Sequence, residues 1–229
     1  IDFCTPGGLG SAMAFHTRMG AHIVRDHDVE ATSRLRAVVS PFILRREKTD
    51  ESLGLWLPSK TEYVDLVPLT GEQAALYQAY TENIEFQLEN SASARRSGLI
   101  LAALSHVKQI CNHPAHFTGD GSGLLTPDGG HRSGKVRRLF EIIREAQTDG
   151  RRVLVFTQFA TFAKMLAPEI AREFGGPVPV LDGSLSRTRR NALVEDFQSD
   201  EGPKVMILST RAGGTGITLT HASVVVHVD

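Results

Sequence analysis

From residue 151 onward the apolar positions come in short unbroken runs rather than in alternation. The runs are RVLVFTQ (152–158), PVPVLDG (177–183), KVMILST (204–210) and SVVVHV (223–228). Between them the spacing turns helical, over about 159–173 and 187–198, and KVRRLFEIIREAQ (135–147) reads as a further helix before the first run, with Ser133 as its cap. Continuous β-branched runs are the pattern of strands covered on both faces. Strands that alternate with helices make βαβ units and a parallel sheet. The pattern therefore predicts an open α/β sheet over 132–229. Ligands of such sheets sit outside the carboxyl ends of the strands. Those ends are Thr157-Gln158, Asp182-Gly183-Ser184, Ser209-Thr210 and Asp229, all polar or Gly.

Upstream the periodicity is helical. Asp28 or Thr32 would cap a helix through Leu35, Val38 and Val39 that ends at Ser40, because Pro41 disfavours helix before it. Tyr63 and Asp65 alternate with Val64 and Leu66, a modest strand signal. Ala74, Leu76, Tyr77, Tyr80, Ile84 and Leu88 predict a helix over 71–90, capped by Thr70 or Gly71. A second helix is expected over about 98–112, stopped at Pro114, and the Gly-rich stretch 117–134 reads as a loop. The organisation expected is 1–50, 51–131 and 132–229, with the sheet in the last.

Composition narrows the class. The 229 residues carry 25 basic and 26 acidic side chains, a net charge of −1, which excludes nucleic-acid binding by bulk charge but leaves room for a local basic groove. No apolar stretch approaches the ~20 residues that span a bilayer, and no signal peptide is seen, so no membrane partner is expected. Two cysteines, Cys4 and Cys111, offer no disulfide framework and fit a reducing compartment.

Three chemistries are weighed on residues alone. GGHRSGKV (129–136) spells a phosphate-loop pattern, but Val136 stands where Ser or Thr would hold Mg²⁺, and no strand precedes it; it reads as a decoy. Gly213, Gly214 and Gly216 in STRAGGTGITLT follow a strand, where a backbone can approach a ligand or simply turn. Cys111, His113 and His116 fall within six residues but lack an obvious fourth ligand, so no metal site is expected. Seven basic residues lie between 132 and 152, where Arg137 and Arg138 read as a solvated helix face. Arg187, Arg189 and Arg190 instead flank a strand-end loop where a phosphate backbone would lie.

Read in order, PFILRREK (41–48) with LPSKTE (57–62), LSHVKQICNHP (104–114), SGKVRRLFEII (133–143), RRVLVFTQF (151–159), VLDGSLSRTRRNALVEDFQ (180–198) and ILSTRAGGTGITLTHASVVVHVD (207–229) resemble the Swi/Snf-type helicase-like ATPases of helicase superfamily two. PGGLGSAMAFHTRM (6–19) is similar to the end of their first lobe. The resemblance implies an α/β fold with a RecA-like parallel sheet and flanking helices, the second of two motor lobes, plus an N-terminal helical part. On it, 1–50 would be the end of lobe one and the interlobe linker, 51–131 the start of lobe two with a helical protrusion, and 132–229 the lobe-two core. It implies ATP and Mg, bound mainly by lobe one, and double-stranded DNA held through its phosphate backbone. Carried over residue by residue, Thr157, Gln158, Gly183, Ser184, Ser209, Thr210 and Arg189 would meet DNA. Gly213, Gly214 and Gly216 would face ATP, and Arg45, Arg46 and Lys48 would couple the lobes. Thr215 and Thr218 depart from the aliphatic residue and Asn common in the family.

These residues include no Walker loop, no D-E-x-H box and no motif VI arginines. Arginine fingers alone are worth on the order of 10³–10⁵ in rate. The chain is thus expected to be a catalytically silent fragment of a DNA-stimulated translocase. The alternatives are a non-catalytic nucleic-acid or protein-binding module of the same shape, and a Rossmann-like small-molecule enzyme, which the missing ribose-binding acid disfavours. Ala, Arg and Gly richness hints at a high-GC bacterium, hence a cytoplasmic protein of the nucleoid.

Overall fold

The computed structural model describes residues 5–44, 54, 60–213 and 217–229. Two compact units form, Ile1–Val64 and Asp65–Asp229. In the first, α1 (Ala12–Phe15) runs through a π-helical turn into α2 (Ala21–Arg25), and α3 spans Val29–Val39. Asp28 caps α3 by accepting from the N–H groups of Glu30 and Ala31, and the helix stops ahead of Pro41, as its sequence predicts.

The second unit opens with an extended segment. The strand signal at 63–66 does not become a strand: Tyr63 is 85% exposed and Leu66 92%. Alternation needs a neighbouring strand to bury one face, and none pairs with this stretch among the described residues. Helices α4 (Gly71–Glu89) and α5 (Ser93–Asn112) follow as a packed pair. Thr70 caps α4 in a capping box with Gln73, which satisfies two backbone donors reciprocally. A short α6 (Pro114–Thr118) ends at Gly119 in the left-handed region. Then come α7 (Gly134–Thr148), β1 (Arg152–Thr157), α8 (Ala160–Phe174), β2 (Val180–Leu181), α9 (Arg187–Gln198), β3 (Val205–Ser209), α10 (Thr210–Gly213) and β4 (Ala222–His227). All strand pairs are parallel, in the order β2-β3-β1-β4.

The unbroken apolar runs have a simple cause. In β1, Val153 and Val155 point to a core completed by Val136, Leu139, Phe140 and Ile143 of α7 and by Phe162, Leu166 and Ile170 of α8. Leu154 and Phe156 point the other way, to Leu181, Met206, Leu208 and, from α9, Leu193 and Phe197. Both faces are covered, so neither can be polar. Arg152 opens β1 and is buried. It lies over the Phe197 ring, and its guanidinium donates to the carbonyls of Phe197, Ser199 and Asp200, closing the end of α9.

A polar junction fixes the helical pair to the sheet. Gln73 is fully buried with both ends of its amide engaged. Its Oε1 accepts from Thr70 N–H and Gly134 N–H (both 3.2 Å), and its Nε2 donates to the carbonyls of Ile110 (2.9 Å) and Cys111 (3.0 Å). Arg132 pairs with Glu72, and Thr70 Oγ1 donates to the Arg132 carbonyl. Gly134 completes the fit, because a Cβ there would stand 2.2 Å from the Pro68 carbonyl oxygen. The Gly-Lys of the apparent phosphate loop is therefore a packing site.

Gly134→Ala is expected to destabilise the chain by about 3 kcal/mol, the upper range of core overpacking, since backbone rather than a movable side chain is in the way. Gly98→Ala, in exposed helix with nothing within 4 Å, is expected to stabilise by about 0.5–1 kcal/mol. Urea unfolding of both variants checks the contrast; equal effects at the two sites would contradict the junction.

Candidate functional site

Parallel pairing brings all four strand ends to one edge. Along that rim lie Asp182-Gly183-Ser184 after β2, Ser209-Thr210 after β3, Thr157-Gln158 after β1 and Asp229 after β4; Thr157 and Ser209 are register partners. The structure thus assembles the residues expected at the ligand edge, though it uses them differently.

Thr157 and Ser209 are buried. Thr157 Oγ1 donates to Asp229 Oδ2 (2.7 Å) and accepts from Phe159 N–H (3.1 Å), while Ser209 Oγ accepts from Ala212 N–H (3.3 Å) and starts α10. Ser184 donates its hydroxyl to Asp182 Oδ1 (2.5 Å), and its N–H reaches the same oxygen (2.9 Å). Gln158, Gly183, Ser184, Thr210 and Arg189 are exposed. Gly213 closes α10 at the rim. Gly214, Gly216, Arg45, Arg46 and Lys48 lie outside the described residues.

The carboxylates at this edge are engaged inside the protein. The Asp182 carboxyl is held down to about 2 by the Ser184 hydroxyl and N–H and by Lys164, whose Nζ stands 3.0 Å away. Asp229 accepts from Thr157 Oγ1, Asn112 Nδ2 and the Gln158 N–H, each at 2.7 Å. Asn112 Oδ1 in turn accepts from Lys135 Nζ (3.0 Å), which also reaches the Val228 carbonyl (2.8 Å). Burial pulls the Lys135 ammonium below its ordinary range, and the Asp229 charge opposes that pull. Sequence reasoning placed neither Asn112 nor Lys135 at the rim. The signal available was that QICNHP ends α5 at a buried polar residue, which must find partners.

Four of the seven basic side chains from 132 to 152 are ion-paired; Arg132 pairs with Glu72. Arg138 reaches Asp65, Glu141 and Glu145 and so forms an ion-pair cluster, whereas Arg137 is exposed, as expected of a solvated helix face. Arg144 pairs with Glu173 and Arg151 with Asp149. By contrast, among the described residues no carboxylate lies within ion-pair distance of Arg187, Arg189 or Arg190 at the start of α9, or of Lys108 on α5. Free positive charge therefore lies beside the strand ends, at Arg187, Arg189 and Lys108, as well as at exposed Arg137 on α7.

His113 and His116 have structural duties. His113 Nδ1 accepts from Ala115 N–H and caps α6, and its Nε2 meets the Leu124 carbonyl at 3.1 Å. His116 stacks on Phe162, meets the Phe159 ring edge-on and bonds Thr161 Oγ1. No cluster of three or more His, Cys, Asp or Glu side chains suited to a metal occurs among the described residues.

The sheet order and the polar rim define a RecA-like helicase lobe. The helicase conserved C-terminal domain matches residues 134–229, and the SNF2-related domain matches residues 1–116. The chain belongs to the SNF2 family of helicase-like ATPases. It is 38% identical over its whole length to the putative ATP-dependent helicase/translocase YwqA of Bacillus subtilis, of which it spans 24%. It is 30% identical to the human DNA excision repair protein ERCC-6 and spans 16% of that protein. Among solved structures, the Sulfolobus solfataricus SWI2/SNF2 ATPase core in complex with dsDNA aligns with all of this chain and 47% of its own, at 37% identity and a TM-score of 0.68. Its isolated C-terminal domain aligns with 71% of this chain at 39% identity and a TM-score of 0.64.

Burial among these rings pushes the His116 imidazole down to about 4. The unfolded chain, with an ordinary imidazole near 6.5, binds the proton more readily, so stability rises with pH between about 4 and 6.5 and is fully present above that range. The contribution is on the order of 3 kcal/mol. Thermal midpoints across pH 4–7 are expected to climb in the native chain and to climb less in His116→Phe, which keeps the ring stack without a titrating group.

Proposed function

We propose that this chain is part of the second motor lobe of an ATP-dependent, DNA-stimulated translocase that grips double-stranded DNA by its phosphate backbone. The observation that carries the reading is the charge arrangement at the rim. Asp182 is paired with Lys164 and Asp229 is hydrogen-bonded from within, while exposed Gln158, Thr210 and Arg189 present amide, hydroxyl and guanidinium groups outward beside exposed Gly183 and Ser184. Such donors suit phosphate oxygens, and contacts of that kind position a duplex without reading sequence. The dsDNA complex of the similar Sulfolobus core supports the same partner.

ATP is the fuel in this reading, with Gly213, Gly214 and Gly216 lining the nucleotide side of the cleft. The described residues supply no donor set for Mg, so lobe one of the same parent chain would hold Mg and most of the triphosphate. Residues 1–50 would then carry the end of lobe one and the linker, with Arg45, Arg46 and Lys48 coupling the lobes, and 51–131 the protrusion that leads into the 132–229 core. These residues by themselves would not hydrolyse ATP. Among the described residues no helix is long and apolar enough to cross a membrane, and the likeness to a Bacillus protein supports a bacterial, cytoplasmic setting at the nucleoid.

The test is ATP hydrolysis by the full-length parent with and without duplex DNA, where strong stimulation is expected. Gln158→Ala or Thr210→Ala in that protein should weaken binding to unrelated duplexes by equal factors. A loss confined to one sequence would mean that the rim reads bases, and absence of stimulation would favour a non-catalytic module.

A further inference from the structure

Lys108 lies on α5, outside the strand ends, yet its Nζ donates to Gln158 Oε1 at 3.1 Å, joining the helical pair to the end of β1. It is exposed, and α5 contains no acidic residue. The bond also orients the amide. With Oε1 turned to the lysine, the Gln158 Nε2 group faces away, and it donates to no protein group among the described residues. Two N–H donors, one cationic, thus stand side by side at the open rim.

Their position is fixed from behind. Asn112 is one helical turn after Lys108 on the same face of α5, and its buried amide is locked between Asp229 and Lys135. Asp229 also holds the Gln158 N–H. One carboxylate therefore anchors both the helix that carries the lysine and the strand end that carries the amide. Lys135 feels both the Asp229 carboxylate and the Lys108 ammonium, which places the two lysines in one neighbourhood behind the rim.

We propose that Lys108 and Gln158 form a two-donor clamp for one backbone phosphate, making α5 a wall of the DNA path. The proposal rests on the translocase reading. A planar amide beside an ammonium fits two oxygens of one phosphate, and the ammonium makes the contact dependent on salt.

The experiment measures duplex DNA binding of the full-length parent against salt, for two unrelated sequences, with thermal midpoints recorded alongside. Lys108→Ala should lower the magnitude of the log–log salt slope by about 0.9 and weaken binding roughly tenfold near 0.1 M salt, equally for both duplexes. Lys108→Arg should restore the slope. Gln158→Ala should weaken binding while changing the slope little, since no charge is lost. The combined variant should lose less than the product of the single losses, because the two donors share one phosphate. An unchanged slope in Lys108→Ala, a slope that Lys108→Arg fails to restore, or fully independent effects of the two residues would overturn the clamp. A native parent that shows no stimulation by duplex DNA would instead overturn the translocase reading itself, so the two failures are distinguishable.

Discussion

Everything at the rim follows from one constraint, that the strands run parallel and the central pair, β1 and β3, is buried on both faces. Val153 and Val155 serve one core, and Leu154 and Phe156 the other. Hardly a side chain within the body of β1 or β3 is left over for chemistry. Polar groups can appear only where the strands end, and parallel pairing sends all those ends the same way. The order β2-β3-β1-β4 then decides who stands beside whom. Residues 157, 182, 209 and 229, distant in the chain, become a single row.

That row carries two kinds of polar residue, which the fold separates by depth. Thr157, Ser209, Asp182 and the Asn112 amide are buried, and each bonds to a neighbour on the same edge. Gln158, Ser184, Thr210 and Arg189 stand outside them. A buried acceptor without donors would cost about 1–3 kcal/mol, so the inner layer has to be complete before the outer one can hold a fixed position. Asp229 shows this most directly: its three donors come from β1 and α5, and through them it sets where Gln158 leaves the sheet.

Much of this was legible in the sequence because it rests on local pattern. The strand runs, the cap at Ser133, the helix start at Thr70 or Gly71 and the stop before Pro41 each depend on a few adjacent residues. What escaped notice depends on long-range neighbours. The 63–66 alternation looked like a strand because periodicity does not reveal whether a partner strand exists. The ion pairs of Arg132, Arg138 and Arg144 went unread because their acids, Glu72, Asp65 and Glu173, are far away in the chain. Lys108 drew no attention because one lysine on a helix is ordinary until Gln158, fifty residues later, is placed against it.

The two apparent motifs around 111–135 show how identical letters serve different physics. Gly134 and Lys135 have the spelling of a phosphate loop, but Gly134 is there because Pro68 leaves no room for a Cβ, and Lys135 points inward to Asn112 and Val228. His113 and His116 have the spacing of ligands but act as a helix cap and a stacked ring. In both cases the deciding fact is burial. A phosphate loop must keep its backbone N–H groups open to an anion, whereas the Gly134 N–H is bonded to Gln73. The same criterion favours the outer layer of the rim as the ligand surface, since Gln158, Thr210 and Arg189 are exposed there and, among the described residues, no carboxylate pairs with Arg187, Arg189, Arg190 or Lys108.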